Sequence, residues 1–237
     1  MPSVVLAVDI GGTKIAAARV VEGVVVERRE APTPVREGPQ AVIRTALSLL
    51  EDWRRGALGL GVASGGVIHR GRVIHANPRI LPDWAGLDLR AVFRLHTGLP
   101  VKVLNDAQAA AWGEYRYGAG RGLDSMAFVT VSTGIGAGLV LGGRLRTGER
   151  GLAGHLGHTV CGPESEVCGC GRRGVSGDRG LGDGPHRSGS PGVRGLREHL
   201  LRSGPGLTGG SGGYPACGPG RKSPRALPRR PLGPRGS

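Results

Sequence analysis

Three β-prone runs open the chain, at residues 4–8, 15–21 and 24–29, and the links between them are too short to be anything but reversals. Glu22-Gly23 is a two-residue connection of the hairpin type. Residues 9–13, Asp-Ile-Gly-Gly-Thr, form a Gly-rich turn. A chain that starts this way commits its N-terminus to a β-meander. The pattern then changes. Residues 40–53 place Val42, Ile43, Ala46, Leu47, Leu49 and Leu50 at the spacing of an amphipathic helix. Residues 58–63 are strand-like and run into the loop Ser64-Gly65-Gly66. Residues 87–95 read as a short helix, 101–104 as a buried strand and 106–117 as an Ala-rich helix. Strands at 126–131, 138–141 and 144–146 surround a second Gly-rich turn at 132–136. A meander followed by strands alternating with helices predicts an α/β domain.

Past residue 174 the composition is different. Residues 175–237 hold 17 Gly and 9 Pro and no Ile, Phe, Trp or Met. Such a segment cannot bury enough apolar surface to offset chain entropy, and disorder is expected. The charge divides at the same place. Of the net +14, about +8 belongs to 175–237, where ten Arg and one Lys face three acids. A basic chain points towards nucleic acid, but here the excess sits in the tail, whose one aromatic, Tyr214, supplies little base stacking. No specific nucleic-acid partner is expected. The N-terminus shows no basic region ahead of a long apolar stretch, and no run reaches the ~18 apolar residues of a membrane span. The four cysteines are expected to bind metal or stay reduced, and the location expected is the cytoplasm.

Four stretches carry chemistry. Asp9, Gly11, Gly12, Thr13 and Lys14 make a turn whose amides can approach phosphate oxygens, with the Thr hydroxyl and the Lys adding contacts. The spacing is not that of a P-loop, and a plain hairpin turn is the competing reading. The second turn, with Thr133, Gly134 and Gly136, again follows an apolar strand, and two such turns argue for a polyphosphate gripped from both sides. Asn105-Asp106 follows a strand and opens a helix. Asp106 is either a helix N-cap or a general base taking a proton from a substrate hydroxyl during phosphoryl transfer. His155 and His158, flanked by glycines and followed by Cys168 and Cys170, resemble the opening of a zinc site, which takes four N or S ligands.

Together these stretches resemble the ROK family of sugar kinases, within the actin/hexokinase-like (ribonuclease H-like) ATPases. DIGGTK is similar to that family's first phosphate motif and ASGGVI to its sugar loop. LNDAQAAAWGEY is similar to the catalytic segment, VSTGIGAG to the second phosphate motif and GLAGHLGH with CGCGRRG to the zinc signature. Most of the family has Glu at the position of His155. The form here, with DAQAAAWGE, looks like the bacterial N-acetylmannosamine kinases. The resemblance spans about residues 1–174. It implies ATP-dependent phosphorylation of the 6-hydroxyl of N-acetylmannosamine in sialic acid breakdown, with ATP, Mg2+ and Zn2+ as cofactors and a homodimer as assembly. Asp106 is then the base. Asp9 lies near the metal, and Ser64, Gly65, Asn105, Asp106, His155 and His158 contact the sugar. His158, Cys168 and Cys170 are zinc ligands. The domains expected are an N-terminal lobe at 1–120, the start of a second lobe at 121–174 and the tail at 175–237.

The family pattern breaks at Val175 and Gly177, where a further Cys and a Glu are expected, so the fourth zinc ligand is missing. One back-translation of 177–189, read one base later, gives an Ala-rich stretch like the one that follows the zinc signature in this family. The tail is therefore expected to be an out-of-frame translation and the kinase activity to be impaired. The alternatives are a glucokinase or N-acetylglucosamine kinase of the same family, or an inactive truncated product.

Overall fold

The computed structural model describes residues 2–131 and 134–160 together with 168, 172, 173 and 175. These lie within one unit, Met1–Arg187. The meander expected at the N-terminus forms β1 (Val4–Ile10), β2 (Lys14–Val21) and β3 (Val24–Pro32). Glu22 and Gly23, both at positive φ, close the β2–β3 turn. β4 (Leu60–Ser64) and β7 (Val101–Asn105) then add to β1 in parallel, and the sheet runs β3-β2-β1-β4-β7. Parallel pairing needs a crossover. It is supplied by α1 (Pro39–Leu50) between β3 and β4 and by α2 (Leu89–Thr97) between β4 and β7.

The period of two decides which face these helices cover. Leu6, Val8 and Ile10 of β1, Ile15 and Ala17 of β2, and Leu60 and Val62 of β4 are almost fully buried. They share a core with Val42, Ala46 and Leu50 of α1 and with Leu89 and Phe93 of α2. The alternate positions, among them Ala7, Asp9, Ala16, Ala18 and Ala63, are more open and mostly small. α1 stops at Leu50, three residues before the expected end, and a 3-10 turn over Glu51–Trp53 follows. Asp88 caps α2 by accepting from the Ala91 amide at 2.9 Å.

Sequence reading overlooked one hairpin, β5 (Val67–His69) and β6 (Arg72–His75), turned through Arg70 and Gly71 at positive φ. β8 (Met126–Val131), β9 (Ile135–Leu141) and β10 (Arg144–Arg146) make a second antiparallel sheet in the order β10-β9-β8. β9 starts three residues earlier than expected, so Gly136 belongs to a strand rather than to a turn. α3 (Asp106–Tyr117) packs on this sheet, with Ala107 and Ala111 set against Gly136 and Gly138. No helix among the described residues is long and apolar enough to cross a membrane. The expectations for residues 176–237 lie outside the described residues.

Candidate active site

β1, β4 and β7 run parallel and end level with one another. Ile10 pairs with Ser64, and Ser64 pairs with Asn105. Two of the chemistry-bearing stretches and the sugar loop thus leave the sheet at the same edge: Gly11–Lys14 after β1, Asp106 after β7, and between them Gly65-Gly66 after β4. The carboxyl ends of parallel strands are where open α/β sheets bind ligands. Two strand spacings, roughly 10 Å, separate the first turn from the third.

The turn after β1 is held from two sides. Gly11 N–H donates to the Lys14 carbonyl at 3.1 Å, and the Thr33 hydroxyl, at the end of β3, donates to the Gly11 carbonyl at 2.8 Å. Ile80 lies over the turn. A Cβ on Gly12 would come 2.5 Å from the Ile80 Cγ2, so a larger residue fits beneath it only if Ile80 shifts. Lys14 does not reach out freely. Its Nζ is 3.0 Å from Glu30 Oε1, an exposed surface pair that contributes little and is easily exchanged for a phosphate. Thr13 is exposed. Asp9 faces the open side of the sheet. Burial pushes its carboxyl above the ordinary value, and the nearby charge of Asp106 adds to this, while Lys14 and Arg28 oppose it. Two carboxylates therefore sense each other across the strand ends.

At the β7–α3 junction the cap is Asn105, not Asp106. Its Oδ1 accepts from the Gln108 amide at 3.2 Å, and its Nδ2 donates to the Gly66 carbonyl at 3.0 Å and to Asp106 Oδ1 at 2.8 Å. Both amide hydrogens are spent inside the protein, which leaves a sugar only a lone pair on Oδ1. Asp106 Oδ1 also accepts from the Ala107 amide at 2.8 Å. The carboxylate is thus oriented by two donors, and its second oxygen has no partner among the described residues.

Ser64, expected to contact the sugar, has its hydroxyl bonded inside the protein. The side chain is fully buried, and its hydroxyl accepts from Trp84 Nε1 at 2.9 Å and donates to the Gly65 carbonyl at 3.2 Å.

His155 and His158 stack with ring centroids 6.2 Å apart. Burial holds His155 below the ordinary imidazole value and His158 adds to this, against the pull of the Asp106 charge and the Gly151 carbonyl. His155 Nε2 is sealed from water and has no partner among the described residues. His158 Nδ1 lies 3.7 Å from Cys168 Sγ. Two ligands of a tetrahedral zinc sit about 3.6 Å apart at ordinary Zn–N and Zn–S lengths, so this pair fits the ion. No group of three His, Cys, Asp or Glu suited to a metal occurs among the described residues. Val175, where the family resemblance expects a cysteine, is fully buried and bridges Val160. Cys170 and Thr133 lie outside the described residues. Gly134 is open, whereas Gly136 backs onto Ala107.

Thr33, Ile80, Trp84 and Gln108 were missed in the sequence. Each acts by packing or by bonding a site residue, and none has a motif of its own. Only Gln108, two residues past Asp106, had a local signal.

Residues 5–177 match the ROK family. An N-acetylmannosamine kinase of Citrobacter koseri is 48% identical over 170 residues, covering 71% of this chain and 58% of that protein. One from Escherichia coli is 48% identical over 171 residues, with the same coverage of each. The chain thus spans less than two thirds of these relatives. Among solved structures, a ROK family glucokinase from Streptomyces griseus, in complex with glucose and AMPPNP, superposes with a TM-score of 0.66 at 36% identity, over 73% of this chain and 55% of that one. A ROK hexokinase from Thermus thermophilus gives 0.63 at 36% identity, over 73% and 58%.

Proposed function

This chain belongs to the ROK family, and on that premise we propose that it serves the ATP-dependent phosphorylation of N-acetylmannosamine at the 6-hydroxyl, a cytoplasmic step of sialic acid breakdown. The observation that carries the reading is Asp106. Its carboxylate is oriented just past the end of β7, and its charge is felt at both Asp9 and His155. A base between a phosphate-binding turn and a sugar-contacting histidine is what phosphoryl transfer to an alcohol requires.

In this reading the 6-oxygen attacks the terminal phosphorus of ATP while Asp106 takes the hydroxyl proton. A phosphorus–oxygen bond forms to the sugar as the one to the β-phosphate breaks, and ADP leaves. The amides of the Gly11–Thr13 turn stabilise phosphate charge, and Lys14 joins them once released from Glu30. Asp9 would hold Mg2+, which supplies charge neutralisation for the phosphates when bound. A structural zinc held by His158, Cys168 and Cys170 would brace the loop that carries His155. The preference for N-acetylmannosamine rests on the named relatives at 48% identity. The Streptomyces glucokinase keeps glucose as the second candidate.

The test is coupled ADP release with N-acetylmannosamine, glucose and N-acetylglucosamine, beside calorimetric binding of each sugar. N-acetylmannosamine should bind tightest, and Asp106→Asn should lower turnover by about 10²–10⁴-fold with sugar binding retained. Unchanged turnover in Asp106→Asn refutes the assignment, and tighter binding of glucose moves it to the glucokinase reading.

A further inference from the structure

β3 stands at one end of the five-stranded sheet, so one of its two edges has no neighbouring strand among the described residues. Val24, Val25 and Val26 are 63%, 58% and 47% exposed, and Glu27, Arg28, Glu30 and Pro32 are exposed beside them. An open edge of this kind is a template for a further strand.

The ladder with β2 decides which groups the edge offers. Lys14 pairs with Pro32, and just beyond them the Thr33 amide donates to the Thr13 carbonyl at 2.9 Å. In an antiparallel pair, residues that exchange hydrogen bonds alternate with residues that do not. Ala31, Arg29 and Glu27 therefore turn their amides and carbonyls inward, to Ile15, Ala17 and Arg19. Arg28 and Glu30 turn theirs outward, where no hydrogen bond among the described residues meets them. Pro32 also faces out but has no N–H to give. On the other side the bulge at Val26 ends the regular stretch. What the edge presents is the backbone of Arg28 and Glu30.

We propose that this edge pairs with the same edge of a second copy of the chain, antiparallel, with Arg28 of each opposite Glu30 of the other. About a twofold axis, the registers that join these outward groups set Arg28 on Arg28, Glu30 on Glu30, or Arg28 on Glu30. Like charges directly opposite each other destabilise a ladder, and the last register alone replaces them with two reciprocal ion pairs. Each opposed pair then exchanges two backbone hydrogen bonds. Arg28 already bonds Glu30 within its own strand, so the exchange trades one carboxylate partner for another. Arg29 meets its own copy at the axis, on the opposite face of the sheet. There it is held by Asp52 at 3.0 Å and lies over the Trp53 ring at 4.2 Å, which neutralises and withdraws it. Val26 comes opposite Pro32 of the second copy, so the exposed valines gain an apolar neighbour. The edge is its own complement in charge and in hydrogen bonding, and that favours a second copy over an unrelated strand.

Sedimentation velocity of the full chain at a series of concentrations reads the association. Wild type should dimerise. Arg28→Glu and Glu30→Arg should each weaken the dimer by about tenfold or more, since each sets like charges opposite one another at two places. An equimolar mixture of the two variants should recover it, because the acidic edge of one then faces the basic edge of the other. Recovery on mixing also shows that both variants are folded. A wild type that stays monomeric overturns the proposal. So does a dimer that both variants leave intact, since the copies then meet elsewhere, and so does a mixture no tighter than its separate components. A chain that binds an added peptide of residues 24–34 yet never pairs with itself overturns the second copy as occupant and gives the edge to a strand of another protein.

Discussion

Trp84 Nε1 donates to the Ser64 hydroxyl at 2.9 Å, and both residues are buried to within 1% of completely. The hydroxyl at the end of β4 is therefore tied into the core. Ser64→Ala would leave the indole N–H without an acceptor in a dry place. A loss of about 1–3 kcal/mol is expected, read as a drop of about 2–4 °C in melting temperature for each kcal/mol. Sugar affinity should stay within a small factor of wild type. A variant that melts normally but loses the sugar would show that the hydroxyl faces the ligand after all.

The steric fit of Gly12 under Ile80 makes a coupled pair. Gly12→Ala forces its methyl against Ile80 Cγ2 and should cost about 1–3 kcal/mol while weakening nucleotide binding. Ile80→Ala opens the space, so the double variant should regain part of both losses. A double-mutant cycle measures this. Additive losses would mean that Ile80 does not press on the turn.

Thr33 holds the same turn through its hydrogen bond to the Gly11 carbonyl. Thr33→Val keeps the shape and removes the donor. About 1 kcal/mol is expected to be lost, which in affinity for AMPPNP is roughly fivefold. Thr33→Ser should retain most of the affinity. Equal binding by the valine and serine variants would rule out a role for the hydroxyl.

Asp9 gives a pH-dependent prediction. Burial and the Asp106 charge raise its carboxyl on folding, so the native chain binds this proton more tightly than the unfolded chain does. Stability then falls as pH rises through the window between the ordinary and the raised value. Above that window the ionised group is a standing cost. Asp9→Asn should therefore melt higher than wild type at neutral pH, and this gain should vanish below the ordinary carboxylate range, near pH 3. The same variant should lose activity. Melting curves from about pH 3 to about pH 8 check the sign. A variant less stable than wild type at neutral pH would mean that Asp9 is held ionised by its cationic neighbours.

The strand at 4–8, the meander at 15–29 and the Ala-rich helix opening at Asp106 were legible because each rests on local signals: β-branched runs, short turns and helical spacing. The β5–β6 hairpin was not. Its strands are three and four residues long, and His69, Arg72 and His75 break the alternation that marks a strand. Local preference also treats Asn and Asp as nearly equal caps, so it could not tell which of Asn105 and Asp106 closes the helix. The pairing of Asn105 with Ser64 settles that by fixing where β7 ends.

By itself, then, the sequence determined which residue types stand at each strand end, because strands, turns and helix starts are written in neighbouring residues. The inward turn of Ser64, the capture of Lys14 by Glu30 and the clamp of Gln108 on Gly151 and Ala153 came only from the tertiary structure. Each joins segments 16 to 45 residues apart. Whether a side chain faces a ligand or the core depends on the donor that happens to lie across from it, and no local pattern carries that.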